Sequence, residues 1–224
     1  MERKPRRRTR ERILETSLML FNRFGEPNVT TSVIADELNI SPGNLYYHFD
    51  SKDEIVTTIF ASFRREIDRV LDTPANRLAN VEDIWLFLHL LFEAIWRYRF
   101  LYRDLSDLLS RNRVLELGFK DLIQRKVSTA IALCDDLRAH GQLQATAGEI
   151  EALATNVAAL ATYWLSFEYV RNPRHLTEAQ VLARGAYQVM VLIAPFLVGA
   201  SRTLFERLAQ EYILSGAGPT RHLG

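Results

Sequence analysis

Apolar residues return at intervals of three and four along nearly the whole chain, separated by short polar stretches. That spacing puts them on one face of a helix, and the two-residue alternation of a strand is absent. The first stripe, Ile13, Leu14, Leu18, Phe21 and Phe24, predicts a helix over about Arg8 to Phe24, closed by Gly25 with Pro27 beyond. A shorter helix follows Thr30, a capping residue, through Ile34, Ala35 and Leu38. Asn39 breaks it, because asparagine tolerates the left-handed backbone of a tight turn, and Ile40 plugs that turn from beneath. Ser41 and Pro42 then open a third helix, running through Leu45 to Phe49. Two helices this short bury too little to stand alone, so they close on the first as a three-helix unit containing a helix-turn-helix.

A fourth helix starts where Ser51 and Glu54 have capping-box spacing, and it carries Ile55, Ile59, Phe63 and Ile67 to a break at residues 73–76. Further helices are expected over about Val81 to Arg97, Phe100 to Leu109 and Arg113 to His140, the last with Gly141 as its cap. Two more start at Thr146, with Glu149 as capping partner, and at Thr177, with Gln180. Both contain long uncharged runs: sixteen residues between Glu151 and Glu168, seventeen between Arg184 and Arg202. A helix apolar around most of its circumference must be covered on more than one side. A membrane span needs ~20 apolar residues, and Thr155, Asn156, Thr162, Ser166, Gln188 and Pro195 interrupt these runs. A second copy of the chain is the better cover. Ala158, Ala159, Gly185 and Ala186, with Val189 beside them, would allow close approach in a two-fold, four-helix interface.

Composition adds little until charge is placed along the chain. At 224 residues and 48% hydrophobic, the protein is long enough for one or two domains with a sizeable core. The first twelve residues hold seven basic groups against two acidic ones, +5 in total; with +1 for the whole chain, the remainder carries −4. An arm of this kind, with Arg6, Arg7 and Arg8 nearest the first helix, suits DNA phosphates or a minor groove. A solubilising tail or a membrane-surface patch is the competing use. Glu11, Arg12, Glu15 and Arg23 interrupt the following helix, so no secretory signal is expected. One cysteine, Cys134, excludes an intrachain disulfide and fits a reducing cytoplasmic setting, where it packs between Ile131 and Leu137.

The third helix has the chemistry to read DNA. Gly43 permits close backbone approach, and Asn44 carries the paired donor and acceptor that recognise adenine in a major groove. Tyr46 and Tyr47 can lean on sugars and donate to phosphates. Lys52 sits in the first turn of the fourth helix, where the dipole disfavours a cation unless an anion is close by; a DNA phosphate would supply one.

The run DELNISPGNLYYHFDSK, residues 36–52, resembles the recognition-helix signature of the TetR family of bacterial transcriptional regulators, and the likeness extends over roughly Arg8 to Ile59. Asn39 stands where glycine is common, and Pro42 and Asn44 replace the more usual lysine and threonine, which points to a different target sequence read in the same docking mode. The resemblance implies backbone contacts from Tyr46, Tyr47, His48 and Lys52 within a DNA-facing set that includes Thr30, Thr31, Ser41, Pro42, Gly43 and Asn44. It also implies a homodimer on an inverted-repeat operator and a small-molecule effector pocket in the helical remainder.

Candidates for that pocket are Trp85, His89, Phe92 and Trp96, which share one face, and Tyr163, Trp164 and Phe167 on a later helix. Aromatic stripes at helical spacing usually just pack, so each taken singly also reads as core. No phosphate-binding glycine loop, HExxH, GxSxG or dinucleotide fingerprint occurs, and the five histidines are scattered, so neither enzyme, metal nor cofactor is expected. The expected organisation is all-α: a basic arm and helix-turn-helix domain over 1–52, a larger helical effector-binding and dimerisation domain over 53–214 with 53–72 as connecting helix, and a flexible tail over 215–224. The function expected is that of a cytoplasmic, ligand-responsive repressor with double-stranded DNA, a small molecule and its own second copy as partners. The alternative is a DNA-bound architectural or cell-division factor that recruits a protein and has no effector.

Overall fold

The computed structural model describes residues 5–72, 80–172 and 177–212. The expected break at 73–76 and the tail from 215 lie outside them. Eleven α-helices make up the described chain: α1 (Pro5–Phe24), α2 (Thr31–Glu37), α3 (Pro42–Tyr46), α4 (Lys52–Leu71), α5 (Val81–Arg97), α6 (Arg99–Arg103), α7 (Leu105–Arg111), α8 (Arg113–Ala139), α9 (Ala147–Arg171), α10 (Glu178–Ile193) and α11 (Gly199–Tyr212). Single 3-10 turns lie at Glu26–Asn28 and Ala194–Phe196, and the one β-type contact among the described residues is an isolated bridge between Leu143 and Leu197. The helices form two compact units that are discontinuous in sequence, one from residues 1–66 with 98–118 and one from 67–97 with 119–224.

In the first unit, the turns behave as their residues dictate. Gly25 adopts φ 89°, and its amide returns to the Phe21 carbonyl at 2.9 Å, closing α1. Asn39 takes the left-handed φ of 53° that the turn between α2 and α3 requires. Thr30 Oγ1 accepts from the Val33 amide and Ser41 Oγ from the Asn44 amide, so both short helices are capped. Ile13, Phe21, Ile34, Leu45, Phe49 and Ile55 are buried together. α1 begins at Pro5, earlier than expected, so the backbone of the basic run 6–12 is helical.

The helix expected over residues 100–109 is instead two, α6 and α7, parted at Asp104. Asp104 Oδ2 accepts the Glu26 amide at 3.0 Å, a bond across 78 residues that periodicity cannot display. Phe100 meets the Phe21 ring at 5.2 Å and Tyr102 stands edge-on to Phe63, which ties α6 to α1 and α4. Burial raises the Tyr102 phenol far above its usual range, partly offset by the nearby Arg64 cation.

In the second unit, α10 packs against α5 and α9. A Cβ built on Gly185 would lie 2.8 Å from the Phe92 ring, so only glycine lets α10 approach α5 this closely. Ala186 and Val189 are fully buried and Ala158 nearly so. These four residues, expected between copies of the chain, therefore pack inside one copy; of the five, Ala159 alone is exposed. At Gly185 the missing side chain leaves room for the Phe92 ring of α5. Thr146 and Glu149 form the expected capping box on α9, whereas Thr177 makes no side-chain cap on α10. The uncharged run after Arg184 is not one helix either: it stops at the Ala194–Phe196 turn, and α11 starts at Gly199 with φ 55°. By length and composition residues 178–196 would pass for a membrane-crossing helix, but the core helix of a globular protein passes the same test.

Gly185→Ala is expected to lower stability by about 1–3 kcal/mol, because the Phe92 ring must be displaced inside a packed interface. Gly148→Ala, where an added Cβ meets nothing within 4 Å, should change it by less than about 1 kcal/mol. Urea midpoints of the two variants check the contrast.

Candidate nucleic-acid interface and interior cavity

The outer face of α3 gathers most of the expected DNA-facing residues. Leu45 and Phe49 anchor the helix from below, so Ser41, Pro42, Gly43, Asn44, Tyr46 and Tyr47 all point into solvent. Tyr47 is 63% and Tyr46 49% exposed, unusual for large rings with apolar neighbours to hand. Thr30 is exposed beside them, and Thr31 Oγ1 lies 3.0 Å from the Tyr46 hydroxyl, fixing α2 to α3 at the surface. His48 is half-buried and stands edge-on to Tyr47 at 5.3 Å. Arg8 is exposed, while the side chains of Arg6 and Arg7 lie outside the described residues.

Lys52 is placed differently from expectation. Its Nζ is 2.9 Å from Glu26 Oε1 and donates to the carbonyls of Glu26 and Val29, each at 3.1 Å. Glu26 thus supplies, within the protein, an anion that relieves its place at a helix N-terminus. Glu26 is fully buried, and its other oxygen receives Arg111 Nη2 of α7 at 2.6 Å. Oε1 faces the ammonium without a well-directed hydrogen bond, so that contact is ionic in character. The Arg111 guanidinium is held still more firmly protonated, chiefly by its hydrogen bond to Glu26. Sequence reading missed this cluster, because its members are separated by 26 and 85 positions.

The second unit contains an apolar cavity. Its volume, open mouth included, is about 570 Å³. Leu71 from the end of α4, Leu88 and Leu91 of α5, Lys126 and Cys134 of α8 and Ala161 of α9 are among its lining. None of the seven expected pocket residues lines it. α5 is apolar on two faces, and the cavity takes Ile84, Phe87, Leu88 and Leu91 rather than Trp85, His89, Phe92 and Trp96. Phe92 packs over Gly185, and His89 Nδ1 turns back to the Trp85 carbonyl at 2.9 Å. Trp164 is buried and donates to the Val181 carbonyl, while Tyr163 and Phe167 lie on the exposed face of α9.

Lys126, 5% exposed, is the surprise in that wall. Its Nζ donates to Thr162 Oγ1 at 3.1 Å, and Thr162 in turn donates to the Ala158 carbonyl. Burial lowers its pKa to about 7, while burial and the Asp135 carboxylate raise Cys134 to about 11. A signal for Lys126 was present: it stands four residues after Leu122 and four before Ala130 on the buried stripe of α8.

A capped pair of short helices with an outward-facing asparagine and tyrosines, backed by an all-helical body, defines a helix-turn-helix DNA-binding protein. Residues 13–59 match the model "Bacterial regulatory proteins, tetR family" and residues 62–205 the TetR model "Bacterial transcriptional repressor". The chain belongs to the TetR family of transcriptional regulators, and it is a DNA-binding transcription factor, not an enzyme. A TetR-family regulator from Marinobacter aquaeolei VT8 is similar in structure, with TM-score 0.82 and 36% identity over 91% of this chain and 98% of that one. The Bacillus subtilis (strain 168) protein named as probable HTH-type transcriptional regulator YttP is 24% identical over 54% of this chain and 56% of its own length. The negative regulator IcaR of the Staphylococcus epidermidis biofilm operon is 29% identical over 44% and 54% respectively. The chain thus spans about half the length of these curated relatives.

Glu26→Gln should cost about 2–4 kcal/mol in stability, since it leaves two cations facing a neutral amide at a buried point. Tyr47→Phe, at an exposed ring, should cost almost nothing; thermal denaturation of both separates anchor from surface. A second prediction concerns pH. Unfolded lysine keeps its proton up to about pH 10.4, whereas folded Lys126 releases it above about pH 7. Unfolding between those values takes up a proton, so stability rises with pH across that window. Lys126→Met should be more stable than the parent near pH 6.5, by roughly 2–4 kcal/mol, and the gap should shrink toward pH 10. Melting curves across that range check the sign.

Proposed function

We propose that the protein is a cytoplasmic, homodimeric repressor that binds an inverted-repeat operator and is released by an apolar or amphipathic small molecule. The observation that carries this reading is the pairing of an exposed reader helix with a lined interior cavity in one chain, joined by α4. Lys52 at the start of α4 is bonded to the turn ahead of α2, and Leu71 at its end lines the cavity. An occupant that favours one setting of α4 would favour one setting of the reader, a population shift rather than a push. The cavity also weighs against the architectural-factor alternative, for which a filled interior is expected.

In this reading Asn44 reads a base edge, Tyr46, Tyr47, His48 and the hydroxyls of Thr30, Thr31 and Ser41 reach phosphates, and Gly43 and Pro42 set the approach distance. Arg6, Arg7 and Arg8 follow the backbone from the start of α1. Lys52 acts mainly by holding the reader in place. The second copy docks on the exposed faces of α9 and α10, where Ala159, Tyr163, Phe167, Val170 and Val191 are uncovered in the single chain. A two-fold dimer sets two α3 helices about 34 Å apart on one side of the duplex, which calls for an inverted repeat.

Selection of bound duplexes from a random pool should return an inverted repeat. On that site Tyr47→Phe should weaken every sequence alike, whereas Asn44→Ala should lose about 1–3 kcal/mol of discrimination at one base pair per half-site. A uniform loss in Asn44→Ala would sink the base-reader assignment, and a monomer at micromolar concentration would sink the dimer.

A further inference from the structure

We propose that Arg111 of α7 is a positioning residue for DNA recognition: acting through Glu26, it fixes the turn from which α2 and α3 start, and so sets how far binding to the operator exceeds binding to any other duplex. The inference rests on the reading of α3 as the reader. It extends the reading machinery past residues 13–59, the stretch that matches the N-terminal family model.

The turn over residues 26–29 is held by its backbone and by one side chain. The Glu26 amide donates to Asp104 Oδ2 at 3.0 Å, and the carbonyls of Glu26 and Val29 each accept from Lys52 Nζ at 3.1 Å. On the Glu26 side chain, Lys52 faces Oε1 at 2.9 Å without a well-directed hydrogen bond, whereas Arg111 Nη2 donates to Oε2 at 2.6 Å. One cation would suffice to balance the charge of Glu26. Arg111 adds direction, because a hydrogen bond weakens steeply when its angle departs from the ideal and a plain ionic contact does not. The guanidinium is in turn set in place by Asp107, one turn earlier on α7, whose Oδ2 accepts from Nε at 3.0 Å and from Nη2 at 2.7 Å.

Bonds lead from Glu26 into the reader without a gap. The Val29 amide returns to the Glu26 carbonyl at 3.2 Å, Thr30 caps α2, and Thr31 Oγ1 lies 3.0 Å from the Tyr46 hydroxyl of α3. α2 also packs on α3 through the buried Ile34 and Leu45, so a shift of the turn is passed to the reader. Phosphate attraction through long side chains tolerates such a shift, being electrostatic and independent of sequence. A paired contact from Asn44 to a base edge does not. Loss of Arg111 should therefore cost recognition more than attachment.

Fluorescence anisotropy of the full-length protein on the duplex selected from a random pool, and on a shuffled duplex of equal length, tests the proposal over a range of salt. Arg111→Met should bind the selected duplex about tenfold or more weakly than the parent, and the shuffled one within about twofold with an unchanged salt slope. In protein that already carries Glu26→Gln, the same substitution should add less than about twofold, because its route is gone. Asp107→Asn, at an exposed carboxylate, leaves the buried pair in place and keeps the test open if Arg111→Met fails to fold; it should lower the preference for the selected duplex by about threefold. An equal fall on both duplexes would overturn the proposal, whether the salt slope drops by about 0.9, as for a lost phosphate contact, or stays level. No change on either duplex, or a full further loss in the Glu26→Gln background, would overturn it as well. A parent with no preference between the duplexes would instead sink the reading of α3 as the reader, and the role of Arg111 with it.

Discussion

A carboxylate with no solvent contact holds the first unit together. Glu26 sits in the single turn after α1, and it faces Lys52 at the start of α4 and Arg111 on α7. Two cations around one buried anion are sensible only if geometry and neighbouring hydrogen bonds offset the cost of desolvation. They do so here: the Glu26 amide is taken by Asp104, the Glu26 carbonyl by Lys52, and Arg111 is shared with Asp107. The same cluster explains why residues 98–118 join the N-terminal helices in one compact unit. Three elements converge on one side chain, so none can move without the others. The reader helix owes its position to α2, and α2 begins just after this turn, at Thr31 behind its cap Thr30.

How much of this was legible follows the range of the interactions. Caps at Thr30, Ser41 and Thr146, the left-handed Asn39 and the closing Gly25 are all set by residues within four positions of one another, and the chain displays them directly. The outward face of α3 was legible too, because Leu45 and Phe49 have to point inward and fix the rest. What stayed hidden depends on long-range partners. Lys52 looked like a phosphate ligand, since Glu26 is 26 positions away. α5 is apolar on two faces, so periodicity could not say which one borders a cavity, and it pointed to the aromatic face. Small residues on α9 and α10 read as contacts between copies, yet α5 already occupies the space beside Gly185.

The second unit carries a cost that packing alone would not choose. A lysine is placed where an apolar side chain of similar length would spare it desolvation, and its lowered pKa is the measure of that penalty. Groups held in an unfavourable state inside a cavity are the usual material of binding sites, because a ligand can relieve what the fold cannot. Gly185 is the opposite case: it gives up a side chain for close approach of two helices, and nothing about it invites a ligand. The contrast separates the two kinds of exception to ordinary core composition.

Release of DNA demands that an effector distinguish two states, not merely that it bind. Moving an equilibrium from one part in a hundred to ninety-nine takes about 5.5 kcal/mol of difference in affinity. A buried methylene contributes about 0.8 kcal/mol wherever it is buried, so an alkyl chain enclosed equally in both states supplies affinity and no switching. A directed contact can discriminate, because it depends on the placement of the atoms that make it. Lys126 sits near the middle of α8, a helix whose first residues belong to the first unit and whose later ones line the cavity. A ligand contact satisfied in only one register of that helix would convert general apolar affinity into a preference between states.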